Sequence, residues 1–280
     1  MKSFLFFTTI FFCSYIAAFA KEKPKNNNVN KGKFYLYWGW NRSIYSVSDI
    51  HFKGVDYDFI LSKVVAKDRQ SRFSIPLYFN PTTVTIPQYN NRFGYYINEH
   101  YSISMGEDHM KYVMKTNQVV QINGTINMQD STFNKNYKNE DIKLTSNFLQ
   151  FEHTDGLNYI NTEFRRIDEI YNLKKLTSLN IAVSFTEGIG VGILYPRTNT
   201  TLLGKPRYDE FHLAGYGVSA VIGLGVNFGK HFFIQSEFKG GYINMPDIRT
   251  TMDEADKASQ HFIFLQRNVV FGWSFRINKK

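Results

Sequence analysis

Ile263-Phe264-Leu265-Gln266-Arg267-Asn268-Val269-Val270-Phe271-Gly272-Trp273-Ser274-Phe275-Arg276-Ile277 is the stretch whose reading decides the fold. Ile263, Leu265, Val269, Phe271, Trp273, Phe275 and Ile277 fall on one parity. Gln266, Asn268, Gly272, Ser274 and Arg276 fall on the other. A strand turns successive side chains to opposite faces, so this segment has one apolar face and one polar or small face. It is longer than a usual globular strand. A tilted strand crosses a bilayer in roughly 9–11 residues, and this one is long enough. Its place close to the C-terminus is where many outer-membrane barrels carry an aromatic closing strand. Phe271, Trp273 and Phe275 are expected to face lipid.

Working outward, seven further segments alternate well enough to span. They are about 33–45, 91–97, 101–114, a less regular strand within 144–171, 177–195, 211–228 and 231–243. The 177–195 segment sets Leu179, Ile181, Val183, Phe185, Ile189, Val191 and Ile193 against small and polar residues, with Glu187 breaking the apolar parity. Short connections at 98–100, 172–175 and 229–230 alternate with long ones at 46–90, 115–143, 196–210 and 244–260. That rhythm of short periplasmic turns and long extracellular loops belongs to outer-membrane barrels, and a secreted β-sandwich has no reason to show it. The first long loop holds a β-prone run, Tyr57 to Ala66, before Pro76, Pro81 and Pro87, so eight strands are expected and ten are possible. The fold class is an all-β, antiparallel, up-and-down transmembrane β-barrel with long extracellular loops.

The N-terminus is a separate element. Lys2, the mostly apolar run Phe4 to Ile16 and Ala18-Phe19-Ala20 before Lys21 read as a secretory signal peptide over 1–20. The alternative, a membrane anchor, needs about 18 apolar residues. Cys13 is the only cysteine of the 280 residues. The preceding Ile10-Phe11-Phe12 lacks the small residue expected before a lipidated cysteine. Residues 21–33, polar with Lys and Asn, read as a flexible periplasmic tail, and 34–280 as the barrel domain. No other stretch is apolar enough for a membrane helix, so a membrane reading requires a closed sheet in which every backbone group pairs. The 17% aromatic content suits interfacial girdles.

The face away from lipid carries Gln235, Glu237, Lys239, Gln266, Asn268 and Arg276. Glu237 or Lys239 is expected to pair across to the closing strand, because buried charge needs partners. An eight-stranded interior is just wide enough to be filled by side chains. Gly188, Gly190 and Gly192 sit at period two on this inward face and bind no nucleotide. A narrow channel or ligand cavity is the competing reading.

Of the seven histidines, His51 falls in the first loop. His109, His153, His212 and His261 fall toward extracellular strand ends, near Asp108, Asp155 and Asp247 in level. His109, His212 and His261 are expected to point outward. No pair has metal-ligand spacing on one strand, so no metal and no cofactor are expected. Gly-rich phosphate loops, zincin helices and nucleophile elbows are absent from the sequence. The basic surplus, 33 Lys and Arg against 24 Asp and Glu, is not a nucleic-acid signal in a secreted chain. Lys53, Lys63, Lys67, Arg69 and Arg72 in the first loop can meet lipopolysaccharide headgroups.

Two resemblances follow from motifs. Phe151-Glu152-His153-Thr154-Asp155-Gly156-Leu157-Asn158 resembles the His-x-Ser signature of outer-membrane lipid A deacylases over about a dozen residues. It implies an outward His153 with Glu163 as the acid. The serine position holds Asp155, which is no substitute for an activated hydroxyl, and Thr154 is one residue early. Ser48 to Gly54, Thr85 to Asn90, Asp108 to Met114 and Gly241 to Arg249 together resemble an uncharacterised outer-membrane β-barrel protein family of Bacteroidota. That resemblance spans nearly all of 21–280. It implies the barrel and the outer membrane, and it implies no activity; the barrel-assembly machinery is the partner expected during insertion. The expected function is a non-enzymatic structural or loop-mediated binding role among outer-membrane lipids and lipopolysaccharide. The alternative is an outer-leaflet lipid-modifying enzyme centred on His153, Asp155 and Glu163.

Overall fold

The computed structural model describes residues 30–277, apart from 81, 84, 130 and 174–179. The signal peptide, its cleavage site and residues 21–29 lie outside the described residues. In chain order the strands are β1 (Phe34–Tyr45), β2 (Ser48–Lys53), β3 (Tyr57–Val64), β4 (Ala66–Lys67), β5 (Tyr89–Tyr96), β6 (Tyr101–Asp108), β7 (Tyr112–Met114) and β8 (Val119–Ile126). There follow β9 (Lys135–Lys143), β10 (Leu149–His153), β11 (Tyr159–Asn172), β12 (Ile181–Leu194), β13 (Asn199–Leu202), β14 (Gly215–Phe228), β15 (Phe232–Arg249) and β16 (Lys257–Phe275). One short helix, α1 (Ile75–Tyr78), lies between β4 and β5. Among the described residues no helix is long and apolar enough to cross a membrane.

Eight strands pair as β1-β5-β6-β11-β12-β14-β15-β16, all antiparallel to their neighbours. The ring closes where β1 pairs with β16, from Phe34↔Phe275 to Tyr45↔Phe264. Closure leaves no open edge, which is the one way a sheet satisfies its whole backbone without water. Period-two alternation fixes which side faces out. On β16, Ile263, Leu265, Phe271 and Trp273 are exposed while Gln266, Asn268 and Ser274 are buried inside. Outward Val218, Ile222 and Leu224 of β14 and Ile189, Val191 and Ile193 of β12 continue the apolar belt.

At one end the connections are short. β14 and β15 are joined through Gly229, whose φ of +66° lies in the left-handed region that glycine enters without penalty. At the other end the long connections build a second body. The start of β16 pairs with β2 over 257–260, and the sheet continues β2-β3-β8-β9. A separate four-stranded sheet runs β13-β10-β7-β4. Ile50, Phe52, Phe59, Leu61 and Ile122 from the first sheet, and Tyr112, Met114, Leu149 and Phe151 from the second, share one buried apolar cluster. This body is called the cap.

Three expectations are corrected here. The run Tyr57 to Ala66 does not widen the barrel to ten strands, because β2 and β3 extend past its rim into the cap. The segment 101–114 divides, with β6 in the wall and β7 in the cap sheet. The irregular fourth segment also divides. Leu149–His153 is a cap strand and Tyr159–Asn172 is the spanning one.

Candidate functional site

The lumen is filled by an ion-pair chain that crosses between opposite walls. On β11, Glu163 and Arg165 both point inward, and Arg165 Nε donates to Glu163 Oε2 at 2.5 Å. Arg165 Nη1 reaches Glu237 Oε1 of β15 at 2.6 Å. Arg92 Nη2 of β5 reaches Glu163 Oε1 at 2.9 Å, and Lys239 Nζ of β15 reaches the same oxygen at 2.5 Å. Lys239 also pairs with Asp108 of β6. Three cations therefore face three carboxylates, all of them buried. Neutral donors and acceptors complete the network. Both arginines donate to the Tyr37 hydroxyl at 3.0 and 2.9 Å. Asn161 Nδ2 donates to Asp108 at 2.8 Å, and Asn268 Nδ2 to Glu237 at 3.3 Å. Burying six charges is tolerable only because each has opposite charge and hydrogen bonds.

Local sequence makes room for this chain. An added Cβ at Gly188 would lie 2.9 Å from Arg165 Cγ, and one at Gly190 2.8 Å from Glu163 Cγ. The inward glycines of β12 thus face the ladder carried by β11. Below it, at the turn end, Tyr35, Tyr37, Tyr96, Phe233 and Val270 form a packed layer. Above it, Tyr159 and Phe264, with ring centroids 6.1 Å apart, begin the apolar cluster that runs up into the cap. The lumen is apolar-sealed at both ends and ion-paired between.

Glu237 and Lys239 find partners as expected of buried charge, although their main partners are on β11 and β6 rather than the neighbouring β16. Arg92 and Arg165 were missed. The signal for Arg92 was present, since outward Phe93 and Tyr95 put it on the inward parity. Glu187, the break in the apolar face of β12, is register partner of Arg166, which is in turn partner of Tyr101, the first residue of β6. An outward acid there faces an outward base at the turn end.

The predicted enzymatic residues do not meet. His153 does not face outward. It is fully buried in the cap between Phe151 and Tyr112, at ring distances of 5.1 and 5.7 Å. Glu163 lies in the lumen ladder, and Asp155 is half-exposed beside Arg197 at 3.8 Å. His153 Nδ1 lies 3.0 Å from Thr198 Oγ1, the spacing of a base and a hydroxyl. Both groups are buried, so no substrate reaches them. Burial pushes the His153 pKa down to about 3. His109, also expected outward, is buried against Asn158 Oδ1 at 2.8 Å, and burial pushes its pKa down to about 4. The physical reason is common to both. Each belongs to the loop connections that fold back as the cap core, where alternation counts faces relative to a different interior. His212 is half-buried and pairs with Asp247 at 3.0 Å, while His261 is exposed. Among the described residues no three metal-ligating side chains cluster.

No family model matches the chain, and no curated protein matches its sequence. Among solved structures it is similar to the outer membrane protein OprG from Pseudomonas aeruginosa, at 9% identity over 89% of this chain and 98% of that one, TM-score 0.41. It is similar to outer membrane protein AlkL at 8% identity over 93% and 98%, TM-score 0.40. It is also similar to Ail, the attachment invasion locus protein of Yersinia pestis, at 9% identity over 88% and 99%, TM-score 0.32. Likenesses at these scores carry no argument about ligand or activity. The closed sheet itself makes this an all-β antiparallel up-and-down barrel.

Proposed function

We propose that the chain is a non-enzymatic bacterial outer-membrane β-barrel protein whose sealed lumen conducts nothing and whose cap is its extracellular working surface. The carrying observation is the inverted polarity of the closed sheet, with a continuous apolar belt outside and a neutralised ion-pair chain inside. Such an exterior is stable only against hydrocarbon. Phe271, Trp273 and Phe275 then contact lipid. The short-turn end is periplasmic and the cap lies outside the cell. Residues 1–20 act as the signal peptide, cleaved near Ala20, and the barrel-assembly machinery inserts the remainder. Membership of the Bacteroidota barrel family belongs to this same reading.

The cap supports a structural or binding role. Lys63, Lys67 and Arg72 are exposed on it and have no ion-pair partner among the described residues. Arg69 is held by Glu152 at 2.8 Å and Lys53 lies 3.9 Å from Asp58. The three free cations suit lipopolysaccharide headgroups. The deciding experiment is cell fractionation followed by planar-bilayer recording. The protein should co-sediment with outer membranes, migrate differently on gels before and after boiling, and give no stable single-channel steps. Recovery as a soluble periplasmic protein would overturn the membrane assignment. Porin-like conductance from the purified protein would overturn the sealed lumen.

A further inference from the structure

Where β1 meets β16 the outward parity of the barrel is broken by two basic residues directly opposite one another. Arg42 of β1 and Arg267 of β16 are register partners, and both are exposed on the outer face. Like charges in this position repel. Their outward neighbours are Trp40 and Val269 on one side and Ile44 and Leu265 on the other, with Phe238 of β15 opposite Arg267. Among the described residues neither guanidinium has an ion-pair or hydrogen-bond partner. The nearest acid in their register row, Glu187, is separated from Arg267 by Phe238 and Ile222 and already faces Arg166.

Their height is readable from the register. The same row runs from Arg42 through Arg267, Phe238, Ile222, Glu187 and Arg166 to Tyr101, at the turn end of β6. It therefore climbs around the barrel from the periplasmic rim to the arginines. The strand from Phe34 to Arg42, at about 3.3 Å per residue and a tilt of about 40°, gives a rise of roughly 20 Å. The apolar band of such a barrel is about 25 Å tall. The pair thus sits at the upper margin of the belt, where arginines snorkel to the headgroup layer. The next row upward, Ile103-Phe164-Ile189-Ala220-Gly240-Leu265, climbs in parallel. Its small members Ala220 and Gly240 floor an apolar dent of about 650 Å³, walled by Phe164, Ile189, Val218 and Tyr242. On β15 the dent reaches from Gly240, the register partner of Leu265, up to Tyr242, and Arg267 lies one outward step below Leu265, opposite Phe238.

We propose that Arg42 and Arg267 together bind the phosphate of an outer-leaflet lipid, whose acyl chain lies in the dent floored by Ala220 and Gly240. The inference rests on the membrane assignment above. A shared phosphate turns the repulsion between two facing guanidiniums into two charge-assisted contacts. An apolar chain fills a depression that the wall itself leaves empty.

All three tryptophans, Trp38, Trp40 and Trp273, lie on β1 and β16. The test therefore uses quenching of tryptophan fluorescence by brominated lipids in phosphatidylcholine vesicles carrying the full mature chain. Brominated phosphatidate should quench with an apparent affinity about tenfold above brominated phosphatidylcholine. The double variant Arg42→Gln/Arg267→Gln should abolish that preference, and Arg42→Lys/Arg267→Lys should retain most of it. In the native protein, high salt should collapse it, a readout that needs no variant. Equal quenching by both lipids, or a preference that survives the Gln pair or high salt, would overturn the site. If brominated phosphatidylcholine itself failed to quench, the membrane assignment would fall instead.

Discussion

The barrel and the cap obey the same period-two alternation with opposite sign. In the barrel, Phe271 and Trp273 point out and Asn268 and Gln266 point in. In the cap, Phe52, Phe59 and Phe151 point in while His51, Asp58 and Glu152 point toward solvent. β16 passes through both regimes in a single strand, pairing with β1 in the wall and with β2 at its start. Alternation decides that a strand has two faces. The surrounding solvent decides which of them is the interior.

That contrast can be broken by removing the interior of each part in turn. Glu163→Ala strands Arg92 in the lumen, leaves Lys239 with Asp108 and Arg165 with Glu237 alone, and should cost about 3–5 kcal/mol, as for the loss of one partner in a buried ionic group. Phe151→Ala empties the cap core and should cost about 3–5 kcal/mol by cavity formation. Tryptophan fluorescence reads the barrel, where all three tryptophans lie, and hydrogen exchange at β3 and β8 reads the cap. Glu163→Ala should lower the barrel's urea midpoint in vesicles and leave cap exchange alone. Phe151→Ala should do the opposite, and a barrel indifferent to Glu163 would break the comparison.

The outer faces sharpen it. Phe271→Arg, about halfway up the belt, should cost about 2–4 kcal/mol of folding into vesicles, while inward Ser274→Ala should cost far less. Equal costs in a urea titration would mean the parity is reversed.

Acid separates the two parts further. His153 and His109 titrate near 6.5 when exposed, and burial lowers them to about 3 and about 4 in the folded cap. Between those values the unfolded chain binds the extra proton. Their neutral burial therefore leaves stability intact above about pH 6.5 and erodes it as pH falls toward the folded pKa. At pH 5 the loss is about 2 kcal/mol for His153. Limited proteolysis should open the cap below pH 6 before the barrel yields, and His153→Gln should blunt the effect. A cap equally resistant at pH 7 and pH 5 would contradict the buried neutral ring.

Much of the barrel was legible in sequence because its strands are long. Seven or more alternating positions on β12, β14 and β16 leave little ambiguity, and the short-long rhythm of connections separated barrel from sandwich. The cap was less legible for the reason the two parts differ. β4, β7 and β13 span only two to four residues, too few to show a period. Leu149–His153 alternates clearly, but nothing local says that its interior is apolar. His153 was therefore assigned to a lipid-facing wall when it belongs to a dry core. The lumen was half legible. Glu237 and Lys239 were read from parity, whereas Arg165 sits on β11, whose outward face mixes Phe164 with Arg166 and Asp168 and hides the alternation. Arg267 lies on the apolar parity of the most regular strand and was passed over because the residues around it read so clearly.

The most direct measurement compares two exposed apolar residues, one from each part. Phe271 on the barrel and Ile60 on β3 of the cap are similarly exposed, at 36% and 38%. Cys13 is the chain's single cysteine, so in a Cys13→Ser background spin labels at Phe271→Cys and Ile60→Cys can be read separately in vesicles. The label at 271 should be relaxed by oxygen and shielded from a water-soluble nickel chelate, and the label at 60 should show the reverse. Nickel access at both positions would contradict an inside-out barrel beneath a right-side-out cap.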